Sequence, residues 1–94
     1  MQRGTWLVTW RLVFTKQVQK DALKIARSGL KPQVSHLLES IKQDPYRNPP
    51  SYEKLVGDLT VAYSRRINIQ HRLVYQILDD IKTVKIIRMW THYR

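Results

Sequence analysis

The chain contains no cysteine, which removes disulfides, thiolate nucleophiles and cysteine-ligated zinc and suits a reducing compartment, so a cytoplasmic protein is expected. Acidic residues are scarce, with 7 Asp and Glu against 17 Lys and Arg, and glutamate occurs only at Glu39 and Glu53. No uninterrupted apolar run approaches the roughly 20 residues that span a bilayer. The segment after Met1, broken by Thr9 and Arg11, lacks the apolar centre and cleavage site of an export signal. The three histidines, His36, His71 and His92, are 21 or more residues apart, a spacing unlike that of paired metal ligands, so no metal and no other cofactor is expected.

What is present is positive charge. A length of 94 residues implies one domain spanning residues 1–94, with a thin core and modest stability. A formal charge of +10 and a pI near 10.3 make a field suited to a polyanion: nucleic acid first, an acidic protein second, an anionic membrane last.

Hydrophobic periodicity orders the elements. Residues Thr5 to Thr15 alternate with period two, placing Trp6, Val8, Trp10, Leu12 and Phe14 on one side of a strand. Thr15 can cap a helix whose stripe is Val18, Ala22, Ile25 and Ala26, ended by Ser28-Gly29; a second helix opens at Pro32, carries Val34, Leu37, Leu38 and Ile41, and stops at Asp44-Pro45. A loop with three of the four prolines covers residues 45–52. After it come Glu53 to Leu59, then strands around Val61–Ile67, Arg72–Leu78 and Thr83–Met89. The expected fold is α+β: an N-terminal strand and a two-helix hairpin packed on one face of an antiparallel sheet whose other face is free. On the strand from Arg72, Leu73, Tyr75 and Ile77 are assigned to the core, so Arg72 points to the open side.

The open face is where chemistry is expected. Metal-free cleavage of RNA needs a base for the ribose 2′ hydroxyl, cations for the charge gathering on the phosphate, and an acid for the departing 5′ oxygen. His92 suits the acid because imidazole titrates near neutrality. Glu53, between the proline-rich loop and the arginine-rich strands, could overhang the open face and accept a proton, whereas Glu39 lies beside the apolar stripe of a helix and reads as a surface charge. Arg65, Arg66 and Arg72 flank the turn at residues 67–71, and at most one of Arg65 and Arg66 can share a face with Arg72. With Arg88 on the last strand, Arg65 and Arg66 are the expected RNA contacts. Tyr93 could stack on a base or bond a phosphate; Tyr46, Tyr52, Trp6 and Trp90 could contact bases but are also needed for packing. His36 and His71 read as structural.

Three strings, Ser64-Arg65-Arg66-Ile67, His71-Arg72-Leu73-Val74-Tyr75 and the terminal His92-Tyr93, resemble the YoeB-type toxins, relatives of RelE in bacterial type II toxin–antitoxin systems. The resemblance runs from about Trp10 to Tyr93 and implies the compact microbial ribonuclease-like fold of that family. It implies a ribosome-dependent messenger RNA endonuclease acting in the decoding site, with Glu53 as general base, Arg72 stabilising the phosphate, His92 as general acid and Tyr93 as the terminal tyrosine. It also implies an acidic antitoxin of the Phd/YefM type and a toxin–antitoxin complex on operator DNA. Two departures stand out: residues 1–9 precede the family's usual start, as a possible extension, and Arg94 follows the tyrosine. Two other readings remain, a basic module that binds ribosomal RNA without cutting, and an inactive toxin retained in a DNA-binding repressor complex.

Overall fold

The computed structural model describes residues 9–48, 51–57 and 60–90. Strand β1 (Arg11–Phe14) leads into helices α1 (Lys16–Arg27) and α2 (Lys31–Gln43); strands β2 (Tyr52–Gly57), β3 (Thr60–Arg66), β4 (Arg72–Leu78) and β5 (Thr83–Arg88) follow, with a 3-10 turn at Asp79–Ile81. The expected first strand is thus short within the described residues, and Trp6 and Val8 lie outside them.

Local chemistry accounts for the boundaries. The Thr15 hydroxyl accepts the Val18 N–H at 3.1 Å and so caps α1. The end of α1 turns through Gly29 at φ 71°, a left-handed conformation in which a side chain would be strained. Pro32 sits in the first turn of α2, where no intrahelical N–H is missed, and Asp44 ends that helix.

The five strands lie in the order β1-β5-β4-β3-β2. Neighbours from β2 to β5 are antiparallel, as expected for strands joined by short connections, but β1 pairs parallel with β5, Leu12 opposite Val84. The sheet is therefore mixed and not antiparallel throughout. Strand direction is legible where a hairpin links two strands; two helices intervene after β1, and periodicity carries no information across them.

The helices cover one face. Val18, Ile25, Val34, Leu37 and Ile41 from the helices meet Leu73, Tyr75, Val84 and Ile86 from the sheet in one cluster, with Trp10 and Met89 at its margins. The helix stripe differs from the expected one at two positions. Ala22 and Ala26 are exposed, and the residue turned inward with Val18 and Ile25 is Asp21, with no exposed surface. A carboxylate is tolerated there because its acceptors are filled: Arg88 Nε donates at 2.8 Å, the Met89 N–H at 3.1 Å and Gln17 Nε2 at 3.2 Å. A register shift at Val74/Tyr75 leaves Tyr75 opposite Ile86 and Val74 opposite Arg88, and at this irregular end of β5 the Arg88 guanidinium reaches α1. Burial alone would raise the Asp21 carboxyl, but these hydrogen bonds and the Arg88 charge bring it below the usual carboxylate range.

A carboxyl that binds protons less readily folded than unfolded stabilises the fold above its ordinary titration range, and that stability disappears as pH falls through the lowered folded value. The parent chain is therefore expected to lose stability below about pH 4, seen as a falling urea midpoint. Asp21→Asn should cost about 2–3 kcal/mol at neutral pH, because Arg88 and the Met89 N–H lose a charged acceptor, and should flatten the acid limb of the same profile. Equal acid limbs in the two proteins would count against the clasp.

Candidate functional site

Alternation along β3 divides its residues between the two faces of the sheet. Tyr63 and Arg65 turn toward the helices, Ser64 and Arg66 away, and the register sets Arg66 opposite Arg72 and Ser64 opposite both Glu53 and Val74. The uncovered face therefore collects residues from three adjacent strands. They line, with Ser51 and Tyr52, an open cleft of about 350 Å³ whose remaining walls are Glu53, Ser64, Arg66 and Arg72.

Inside the cleft, Arg72 Nη1 lies 3.0 Å from Glu53 Oε1 and donates to Ser64 Oγ at 3.1 Å. The two partners differ in exposure: the Arg72 side chain is 14% exposed and the Glu53 side chain 60%. The carboxylate thus stands at the mouth while the guanidinium is held against the sheet by a buried hydroxyl. Such a site presents cations for an anion and an accessible acceptor for a proton, with Arg66 exposed on the same wall.

The other expected RNA contacts are placed differently. Arg65 is only 1% exposed. Its Nε donates to the Tyr75 hydroxyl at 2.8 Å, its Nη2 to the Pro45 carbonyl at 3.1 Å, and the guanidinium lies 4.8 Å from the centre of the Tyr52 ring. Its expected contact with RNA is therefore corrected: between Arg65 and Arg66, only Arg66 reaches the surface of the cleft. Tyr75 completes the arrangement by donating to the same carbonyl at 3.4 Å; burial raises its phenol, Arg65 only partly offsetting this, so the hydroxyl keeps the proton it donates. Arg88 is occupied with Asp21 at 2.8 Å and with the Trp90 carbonyl at 3.1 Å, which turns its charge toward α1.

The aromatic residues form packing contacts. Trp10, Tyr46, Tyr63 and Tyr75 follow one another with ring centres 6.0–6.5 Å apart, and Tyr52 joins at Tyr63. Tyr46 also donates to Asp79 Oδ2 at 2.7 Å. Tyr52 alone of these lines the cleft. His71 is buried at 3% exposure and stacks on Trp90 at 3.9 Å between centres, while His36 and Glu39 are exposed on α2. His92, Tyr93 and Arg94 lie outside the described residues; the described chain ends at Trp90, anchored by Arg88 and His71 beside the start of β4.

Two residues of consequence escaped the sequence reading. Ser64 holds Arg72 in place, and its position two residues before Arg66 on a strand was the available signal. Asp21 had a weaker one, an isolated acid at i+3 from Val18 and i−4 from Ile25, which helical geometry places with the apolar stripe.

Comparison with known proteins agrees with the geometry. Residues 14–93 match the family described as the YoeB-like toxin of bacterial type II toxin–antitoxin systems. The toxin YoeB of Streptomyces coelicolor is 35% identical over 85 residues, covering 88% of this chain and 99% of that protein. Among solved structures, the YoeB/ParE toxin from Agrobacterium tumefaciens superposes with a TM-score of 0.77 at 27% identity, covering 88% of this chain and 99% of the other. The YoeB–YefM complex from Staphylococcus aureus gives 0.73 at 32% identity, with 89% and 98% covered. With the family match spanning most of its length and the two helices seated on a mixed sheet in the same way, the chain belongs to the YoeB-like toxins of bacterial type II toxin–antitoxin systems.

Proposed function

We propose that this toxin is a ribosome-dependent endonuclease that cuts messenger RNA in the decoding site. The observation that carries the reading is the pairing of Glu53 with Arg72 at 3.0 Å in a cleft on the face the helices leave uncovered. In the proposed reaction Glu53 takes the proton of a ribose 2′ hydroxyl, the 2′ oxygen attacks the adjacent phosphorus, and the bond to the 5′ oxygen breaks. Arg72 and Arg66 face the charge that gathers on the phosphate oxygens. His92 returns a proton to the departing 5′ oxygen, and Tyr93 stacks on a base or bonds the phosphate.

For Glu53 to act, it must exchange its contact with Arg72 for one with the ribose while Arg72 turns to the phosphate. Its exposure permits that exchange, and Ser64 retains Arg72 meanwhile. The charge of +10 supports a polyanionic partner, here messenger and ribosomal RNA. By likeness to the Staphylococcus aureus YoeB–YefM complex, an acidic antitoxin of that type is proposed to bind the toxin, cover its cationic surface and join it on operator DNA, all in the cytoplasm. No described helix is long and apolar enough to cross a membrane.

A second reading has its own observation. The Glu53–Arg72 contact is also what a structural ion pair on a basic RNA-binding face looks like, and such a module would block translation without cutting. The two readings part at His92→Gln and Glu53→Ala: each variant should keep ribosome binding while cleavage of the message, mapped by primer extension on programmed ribosomes, drops by about 10² or more. Inhibition of translation with no new message ends in the parent would establish the binding module instead. Adding the cognate antitoxin at about 100 times its dissociation constant should stabilise the toxin by about 2.7 kcal/mol, and an unchanged melting temperature would contradict that partnership.

A further inference from the structure

Helix α1 carries a charge arrangement that folding does not require. It buries Val18, Asp21 and Ile25; at about 100° per residue, the side directly opposite belongs to Lys16, Lys20 and Arg27, with Lys24 adjoining them, and all four are exposed. Lys16, Lys20 and Lys24 stand four residues apart, so each meets a like charge along the helix, which is destabilising. The first turn, where the helix dipole favours acids, holds none and begins with Lys16. The single acid of α1 is Asp21, buried and bonded to Arg88. Among the described residues none of the four cations takes part in an ion pair. A helix that needed only a hydrated face would intersperse both signs.

We infer that the ridge of Lys16, Lys20, Lys24 and Arg27 is a second nucleic-acid surface, holding the phosphate backbone of folded RNA apart from the strand bound in the cleft. The cations follow one another at about 6 Å of axial rise per four residues, a spacing comparable to that of successive phosphates. Three of the four are lysines, which act as point charges, and no aromatic ring stands among them, so the surface reads charge and not sequence. Leu23, 61% exposed on the same strip, offers an aliphatic contact to sugar. The apolar groove beside the ridge, where Phe14, Ala22, Leu23 and Ala26 are exposed, shares only Leu23 with it, so the line of four cations offers phosphates charge while lacking the several apolar anchors of a protein contact.

Position supplies the rest. The ridge is on the outer side of the helical layer, whereas Glu53, Ser64, Arg66 and Arg72 are on the opposite face of the sheet. A short single strand in the cleft does not also run along α1. Both surfaces are occupied together only where RNA surrounds the protein, which ties substrate cutting to a large folded RNA. The inference rests on the proposed function for its choice of polyanion.

The test uses the full chain and a triple variant, Lys16→Gln, Lys20→Gln and Lys24→Gln, with a charge-preserving control in which the same three lysines become arginine. Binding to ribosomes and to a short RNA duplex is measured from roughly 50 to 200 mM salt. The slope of log affinity against log salt should fall by about 2–3 for the glutamine variant and stay at the parent value for the arginine control. Cutting at saturating toxin should remain within about twofold, since the cleft is untouched. The glutamine variant should melt no lower than the parent, because like-charge neighbours are removed. Parent-like slope and affinity on both RNAs would overturn the inference, as would a loss confined to binding the acidic antitoxin. A parent that fails to cut message would sink the proposed endonuclease, while the duplex measurement would still read the ridge.

Discussion

The buried guanidinium of Arg65 is the constraint on which the open face depends. Strand β3 has a side-chain period of two, so drawing Arg65 inward sends Ser64 and Arg66 outward in the same step. A slip of one residue would bury Arg66 and put Arg65 in the cleft. Three groups prevent it: the Tyr75 hydroxyl, the Pro45 carbonyl and the Tyr52 ring. They come from β4, from the end of the helical layer and from β2, so one side chain joins the parts that carry Glu53, Arg72 and the proline-rich loop. A charged group at 1% exposure is tolerated only because it is bonded and stacked in this way.

Asp21 does for the end of the chain what Arg65 does for its middle. Its carboxylate gathers Arg88 and the Met89 N–H, and Arg88 in turn holds the Trp90 carbonyl, so α1 sets the position from which the last residues depart. Trp90 stacks on His71, the sequence neighbour of Arg72. Two buried polar residues on the helix side of the sheet thus tie together β2, β3 and β4 in one case and α1 with the end of β5 in the other. In a chain with a core this thin, where burial alone stabilises little, such pairs define a unique arrangement as well as contributing energy.

Much of this is legible in the sequence. The alternation from Arg72 to Leu78, the Thr15 cap and the Gly29 turn follow from properties of adjacent residues, and the structure has them there, whereas Tyr52, expected in the proline-rich loop, already belongs to β2. The direction of β1 was not legible, because nothing local records which way a strand runs beside a partner some 70 residues away. The sequence does not decide between Arg65 and Arg66 for a related reason: the determinants, Pro45 and Tyr75, are 20 and 10 residues distant. Asp21 is hard to single out in the sequence because a lone acid on a helix is usually solvated and its partner Arg88 is 67 residues later. The roles proposed for His92 and Tyr93 rest on imidazole and phenol chemistry together with the family resemblance, and fall on residues outside those described.

In the proposed reaction a ribose 2′ oxygen attacks within the cleft, with Glu53 accepting its proton beside the positive charge of Arg72. The most direct measurement is the chemistry of the cut itself on programmed ribosomes, comparing an ordinary message with one whose ribose at the cleaved position carries a 2′-O-methyl group. Attack by the 2′ oxygen leaves an upstream fragment ending in a 2′,3′-cyclic phosphate, or the phosphate left by its opening, and the methylated message should stay uncut. A 3′-hydroxyl end, or equal cutting of both messages, would contradict it.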